Sequence, residues 1–221
     1  MISDSSLILV ISDSHGNVPA LTAALGWARQ IPLPGQKYTA NQVGAAALGW
    51  AHRTYTADQE PPELAAAVFL GDGWEDLDAA SAQAGFAVPW YKVRGNGDLN
   101  LSIPHSLVLE VSVPKGSSPG NSRKLFLAHG NRYGVGEGGQ TIAAAARAAG
   151  AEAALFGHTH NPHCSVLDGL FLLNPGSIGR SRSNAGPTFA VLECPAAGPL
   201  GARFFRLVKQ DKKIAVEELE L

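Results

Sequence analysis

Short apolar runs repeatedly stop on a residue able to hold a metal ion, and this pattern constrains the 221-residue chain more than any other feature. Residues 7–11 lead through Ser12 to Asp13 and His15, residues 67–70 through Gly71 to Asp72, and residues 90–93 through Arg94 and Gly95 to Asn96. Residues 125–128 run into His129, and residues 153–156 run through Gly157 into His158 and His160. Runs of this length, rich in branched side chains, read as buried strands. Functional groups in α/β sheets gather beyond the carboxyl ends of strands, so these oxygen and nitrogen donors are expected at one rim. Asp13 and His15 alternate around Ser14, as do His158 and His160 around Thr159, so in extended geometry each pair would face one side. The junctions Gly71-Asp72, Gly95-Asn96 and Gly157-His158 are expected to permit sharp turns.

Helical patterns cover residues 18–30, with Pro19 suited to a first turn, then residues 76–84, and residues 140–149, closed by Gly150. Further strands are expected at residues 107–113, 164–167, 170–173, 188–192, 203–208 and 214–218. Early β/α alternation followed by a strand-rich second half predicts an α/β fold with mixed sheets. One domain spanning 1–221 is expected, carrying an insertion at about 31–60 with a short helix at 43–53. Composition adds exclusions. Seventeen Lys and Arg against nineteen Asp and Glu give a net charge of -2, which argues against blanket phosphate neutralisation along a nucleic acid. No apolar stretch approaches the roughly 20 residues that span a bilayer, and no basic leader precedes residue 7, so a cytoplasmic location is expected. Cys164 and Cys194 cannot make a disulfide framework and are expected as thiols, Cys164 buried in a strand.

The donor set suits two divalent metals roughly 3.5–4 Å apart, since a carboxylate can bridge two cations while imidazole and amide complete the sites. Asp13-Ser14-His15-Gly16-Asn17, Gly71-Asp72, Arg94-Gly95-Asn96-Gly97-Asp98, Ala128-His129-Gly130, Gly157-His158-Thr159-His160 and Asn174-Pro175-Gly176-Ser177 together resemble the signature of the calcineurin-like metallophosphoesterases. The branch most resembled is that of the small bacterial and archaeal phosphodiesterases, which also resemble the retromer subunit Vps29. The resemblance implies a two-sheet β-sandwich flanked by helices in four layers, and a metal-dependent phosphodiesterase whose dinuclear centre activates water for in-line attack on phosphorus.

By motif, it implies that Asp13, His15 and His160 hold one ion, that Asn96, His129 and His158 hold the other, and that Asp72 bridges them. Manganese leads the candidate metals, with iron, zinc, nickel and magnesium as alternatives. Asp72, Asn96 and Asp98 are the expected catalytic residues, Asp98 orienting its neighbours; Asn17 and Arg182 are candidates for supporting or phosphate contacts. The expected partner is a small phosphoester, with neither membrane nor specific nucleic-acid binding, and self-association is left open. Two departures stand out. Gly97 occupies the place where many relatives carry a proton-donating histidine, and Asn131 stands where a second histidine often follows His129-Gly130. Two rivals are a non-catalytic scaffold of the same fold and a nuclease. Ordinary structural roles are expected for His105, His163, His52, Glu75, Asp76, Asp78, Trp27, Trp50 and Trp74.

Overall fold

The computed structural model describes residues 5–31, 63–112, 122–211 and 213–221. The insertion expected at about 31–60, its helix at 43–53, Trp50 and His52 lie outside the described residues, apart from the buried Ile31. The central strand β1 (Ser5–Ile11) is buried along its whole length and is followed by α1 (Val18–Ala28). Then come β2 (Glu63–Phe69), α2 (Asp76–Ala84), β3 (Trp90–Lys92), β4 (Ser106–Ser112), β5 (Ser122–Ala128) and α3 (Gln140–Ala148). Strands β6 (Ala153–Leu155), β7 (Pro162–Leu167), β8 (Leu170–Pro175), β9 (Thr188–Pro195), β10 (Gly201–Gln210) and β11 (Lys213–Leu219) complete the chain. Each expected strand and helix in the described residues is present, with ends moved by a few residues.

The strands form two sheets, in the orders β11-β10-β9-β1-β2-β3 and β4-β5-β6-β8-β7. Their centres are parallel and their flanks antiparallel: β1, β2 and β3 run together, as do β5, β6 and β8, while β9, β10, β11, β4 and β7 pair antiparallel. The layers follow from the period of two along each strand. On β1, Leu7, Leu9 and Ile11 pack with Leu21 and Leu25 of α1 and Leu77 of α2, whereas Ile8 and Val10 face the second sheet. Across that inter-sheet core lie Leu125 and Leu127 of β5 and Leu155 of β6. Their alternates Phe126, Ala128 and Ala154 pack against Ile142, Ala143 and Ala146 of α3. The result is four layers, helices on sheet on sheet on helix, as expected. Parallel β1, β2, β3, β5 and β6 therefore release their chains at one rim.

Local chemistry accounts for the helix ends. Asn17 accepts a hydrogen bond from the Ala20 amide at 3.2 Å and so caps α1, which takes its carboxamide oxygen away from the supporting role expected at the site. Gly85 closes α2 at φ 62°, and Gly150 follows α3 at φ 70°. Trp27 sits against Phe205 and Phe189, with ring centroids 4.4 and 5.3 Å away, a core role. Among the described residues, no helix is long and apolar enough to cross a membrane.

The cysteines part company. Cys194, on β9, is wholly buried, and burial pushes its thiol up to about 12. Cys164 is exposed, against expectation, because β7 is the edge strand of its sheet and, among the described residues, the first sheet leaves this end of the inter-sheet face open. An aromatic disulfide reagent at pH 8 is therefore expected to titrate Cys164 in the native protein and Cys194 only after denaturation; rapid native reaction of both would contradict the packing of β9.

Candidate metal centre

The candidate ligands do not sit on extended backbone. Asp13, His15, Asp72, His158 and His160 all have positive φ, at 56°, 46°, 59°, 68° and 61°. The alternation argument for the two Asp/His pairs is thus replaced by another geometry: each strand has ended, and left-handed residues fold the side chains back over the rim. Asp and His tolerate that region better than branched residues, yet each such residue costs of order 1–3 kcal/mol, so surrounding contacts must hold it. The Gly-X junctions also work differently from a set of sharp turns. Gly71 does adopt φ 98°, but Gly95 and Gly157 lie at ordinary φ and are needed for close approach. A methyl group on Gly95 would collide with the Asp72 carboxylate, and one on Gly157 with the Ser12 hydroxyl.

Asp13 lies at the centre. Its Oδ1 is 3.1 Å from His160 Nε2, 3.7 Å from His15 Nε2 and 4.0 Å from His129 Nε2. Asp72 Oδ2 lies 3.5 Å from His129 Nε2 and 3.9 Å from His15 Nε2, between the same two rings. Two groups of potential ligand atoms result, Asp13 with His15 and His160, and Asp13 with Asp72 and His129. His158 stands beside the second group, its ring centroid 5.1 Å from that of His129 and nearly perpendicular to it. Asn96 lies on the exposed turn after β3, next to Gly97, whose amide donates to Asp72 Oδ1 at 2.6 Å.

Ring orientation decides what these atoms can accept. His129 Nδ1 lies 2.7 Å from the Leu70 carbonyl, and His160 Nδ1 lies 2.6 Å from the Arg180 carbonyl. A carbonyl oxygen only accepts, so both Nδ1 atoms carry hydrogen, and in the neutral ring each Nε2 presents a lone pair to the cluster. Asp13 Oδ1 and His129 Nε2 are buried and have no hydrogen-bond partner. Acceptors crowded together in this way call for a cation among them, a proton on an imidazole or a metal ion, and the mixture of carboxylate oxygen and imidazole nitrogen fits a first-row divalent metal.

The electrostatics agree. Burial alone would raise the Asp13 carboxyl, but the imidazoles of His15, His160 and His129 around Oδ1 hold it far below the usual range. Burial is likewise overcome at Asp72, lowered by His129, and at His129, raised by Asp72 and Asp13. His160 is raised mainly by the Asp13 carboxylate beside its Nε2. His158 is lowered by burial and by the neighbouring His129, so it stays neutral and able to donate a lone pair.

Groups around the cluster hold it in place. Asp98 accepts from the Asp72 and Gly95 amides at 2.8 Å each and from the Gly73 amide at 2.7 Å, which fixes the loop carrying Asp72. Hydrogen bonds to a charged group contribute about 1.5–3 kcal/mol each, enough to offset the left-handed backbone there. Asp98 is accordingly a positioning residue whose oxygens face the backbone. Sequence reasoning missed two others. Asp76, read only as a helix start, accepts from Ser14 Oγ at 2.5 Å and the Gly16 amide at 2.9 Å, holding His15 between them. Asn174 donates to the Gly157 carbonyl at 2.8 Å and to Thr159 Oγ1 at 3.0 Å, holding the segment of His158 and His160. The regularity of an aspartate two residues after Trp74 offered no signal for the first; the Asn174-Pro175-Gly176-Ser177 motif was the only hint of the second.

Comparison with known proteins follows this geometry. A family model, the calcineurin-like phosphoesterase superfamily domain, matches residues 46–197. A metallophosphoesterase of Bacillus subtilis (strain 168), YsnB, whose assignment is given as probable, is 30% identical over 104 residues, covering 47% of this chain and 56% of YsnB. The chain thus matches about half the length of that curated relative. In fold, it is similar to a predicted phosphoesterase of Streptococcus pneumoniae TIGR4, with TM-score 0.59 and 18% identity over 97% of this chain and 98% of the other. It is also similar to Vps29 of Chaetomium thermophilum, with TM-score 0.60 and 18% identity over 96% of both chains. With the matching segment covering most of the chain and every described part of the rim inside the same two-sheet frame, the protein belongs to the calcineurin-like phosphoesterase superfamily.

Proposed function

We propose that this protein is a metal-dependent phosphodiesterase in which a pair of divalent ions is held at the rim and water attacks phosphorus in line. The observation that carries the reading is the set of buried acceptors, Asp13 Oδ1 and His129 Nε2 without partners and Asp72 Oδ2 beside them. In this reading Asp13, His15 and His160 hold one ion, Asn96, His129 and His158 hold the other, and Asp72 lies between. Manganese is the first candidate metal, and the protein works in the cytoplasm. Such ions lower the pKa of bound water and neutralise phosphoryl oxygens as charge builds. The chain's own part is orientation: Leu70 and Arg180 fix two imidazoles through their carbonyls, and Asp98 and the Gly97 amide fix Asp72.

Gly97 has no proton to give, so protonation of the leaving oxygen falls to solvent, which favours esters with acidic leaving groups. A methyl group at Gly97 would meet Asp72 Oδ1 at 3.2 Å, a tight but adjustable contact. A Gly97→His substitution is therefore expected to place an acid beside the site. The measurement is the dependence of kcat on leaving-group pKa across a series of aryl diesters. It should be steep for the natural protein and flatter for the variant; equal slopes would remove Gly97 from the account of proton transfer.

Metal loading has a readout independent of turnover. A ligand at 100 times its Kd stabilises by about 2.7 kcal/mol, and for a chain of this size each kcal/mol moves Tm by about 2–4 °C. Saturating Mn²⁺ should thus raise Tm by about 5–10 °C, and Asp13→Asn should abolish the shift. The loaded protein should hydrolyse bis(p-nitrophenyl) phosphate, and Asp72→Ala should lower kcat/KM by at least about 100-fold, the upper end of what losing support for a metal costs. Absence of both the thermal shift and hydrolysis in excess Mn²⁺ would favour the scaffold reading instead.

A further inference from the structure

A cavity of about 430 Å³ opens beside His158, between the loop that follows β5 and the segment carrying Thr159, Asn161 and Arg182. Its volume falls within the range of small-molecule sites, roughly 300–1,000 Å³. The lining is polar: Asn131, Glu137, Thr159, Asn161 and Arg182 all offer hydrogen-bonding groups, and the Gly134 and Gly136 backbone forms the rest of one wall. Val135 lines it too, but is buried, packed with the α3 core. Among the described residues, the His158 ring is the one aromatic side chain that lines it, and that ring is set edge-on to His129. Among the described residues, a flat base or aryl group would find no ring to stack on besides that imidazole.

Arg182 is exposed at the lip, and its amide is tied to the His160 carbonyl at 3.2 Å. Among the described residues, no carboxylate forms an ion pair with it. A guanidinium with no ion pair among the described residues, at the mouth of a polar cavity that His158 also lines, suits a phosphoryl oxygen shared between the rim and the pocket.

We infer that this cavity is the subsite for one alcohol half of the substrate, that it takes a compact, hydroxylated, non-aromatic alcohol such as a sugar, and that Arg182 holds a non-bridging oxygen of the phosphodiester. Asn131 is central to this assignment. The carboxamide there offers hydrogen bonds to hydroxyl groups, on the same side of the rim as His158. The inference rests on the phosphodiesterase reading and adds to it the class of substrate.

Gly136 supplies a clean test, because a Cβ there would meet nothing within 4 Å and its backbone needs no glycine. A Gly136→Phe substitution would add a large side chain to this wall of the cavity without a backbone clash. Two p-nitrophenyl diesters that share a leaving group serve as probes, one with a methyl ribofuranoside joined through its 5-oxygen, the other with phenol. The natural protein should prefer the sugar ester by about tenfold in kcat/KM, the scale of discrimination one well-placed group supplies. Gly136→Phe should erase that preference through KM while metal content stays at the natural level. Arg182→Gln should raise KM for both esters by about tenfold, and Arg182→Lys should restore part of the loss. Hydrolysis of both esters by the natural protein, with a preference for the phenyl ester or a sugar preference untouched by Gly136→Phe, would overturn the subsite while leaving the phosphodiesterase reading intact. Failure of the metal-loaded natural protein to cleave either ester would overturn that reading, and the subsite with it.

Discussion

A carboxylate buried at the end of the central strand sets the terms for the rest of the molecule. Asp13 follows a strand with no exposed residue, and its side chain is wholly buried. Isolated charge in such a place costs several kcal/mol, so the fold must bring compensation from elsewhere. It does so from distant segments. Ser12 Oγ and the His158 amide donate to Oδ2 at 2.5 and 3.1 Å, while the Asp13 amide donates to the Gly71 carbonyl at 2.9 Å. The Asp13 carbonyl accepts from Ser177 Oγ at 2.8 Å and from the Gly179 amide at 3.1 Å. One residue thereby gathers the loops after β2, β6 and β8, and Oδ1 alone is left for the cluster of imidazoles.

This explains why two sheets are needed. A single parallel sheet releases its loops along one line. Here β1, β2 and β3 deliver Asp13, Asp72 and Asn96 from one sheet, and β5 and β6 deliver His129, His158 and His160 from the other. The inter-sheet core built on Ile8, Val10, Leu125, Leu127 and Leu155 therefore fixes the separation of Asp13, His15 and Asp72 from His129, His158 and His160. Packing at this density transmits displacement, so a cavity cut into that core would reach the rim, most directly through Leu70, whose carbonyl holds His129.

Much of this was legible from the chain. Apolar runs ending at Asp, Asn or His mark real strands, and the order of motifs matched the order in which the loops arrive at the rim. What misled was inference within a tripeptide: alternation around Ser14 and Thr159 assumed extended backbone, whereas both pairs are left-handed. That conformation is imposed by contacts across 60 to 145 positions, such as Gly16 with Asp76 and His158 with Asp13, which no local window contains. Cys164 failed for a related reason, since apolar neighbours along β7 do not reveal that the strand lies at an edge.

The Gly97 position shows how closely support and chemistry compete at this rim. Its amide reaches Asp72 Oδ1 at 2.6 Å, and Gly95 must lie against the same carboxylate without a side chain. Together with Asp98 on the loop backbone, these contacts hold Asp72 from several directions. A side chain at position 97 could supply a proton only by sharing space with that carboxylate, so a better acid would come with a looser Asp72. Under the proposed chemistry, the chain has resolved the competition toward fixed orientation. Discrimination among substrates then passes to groups outside the rim, of which the polar cavity beside His158 and the guanidinium of Arg182 are the nearest.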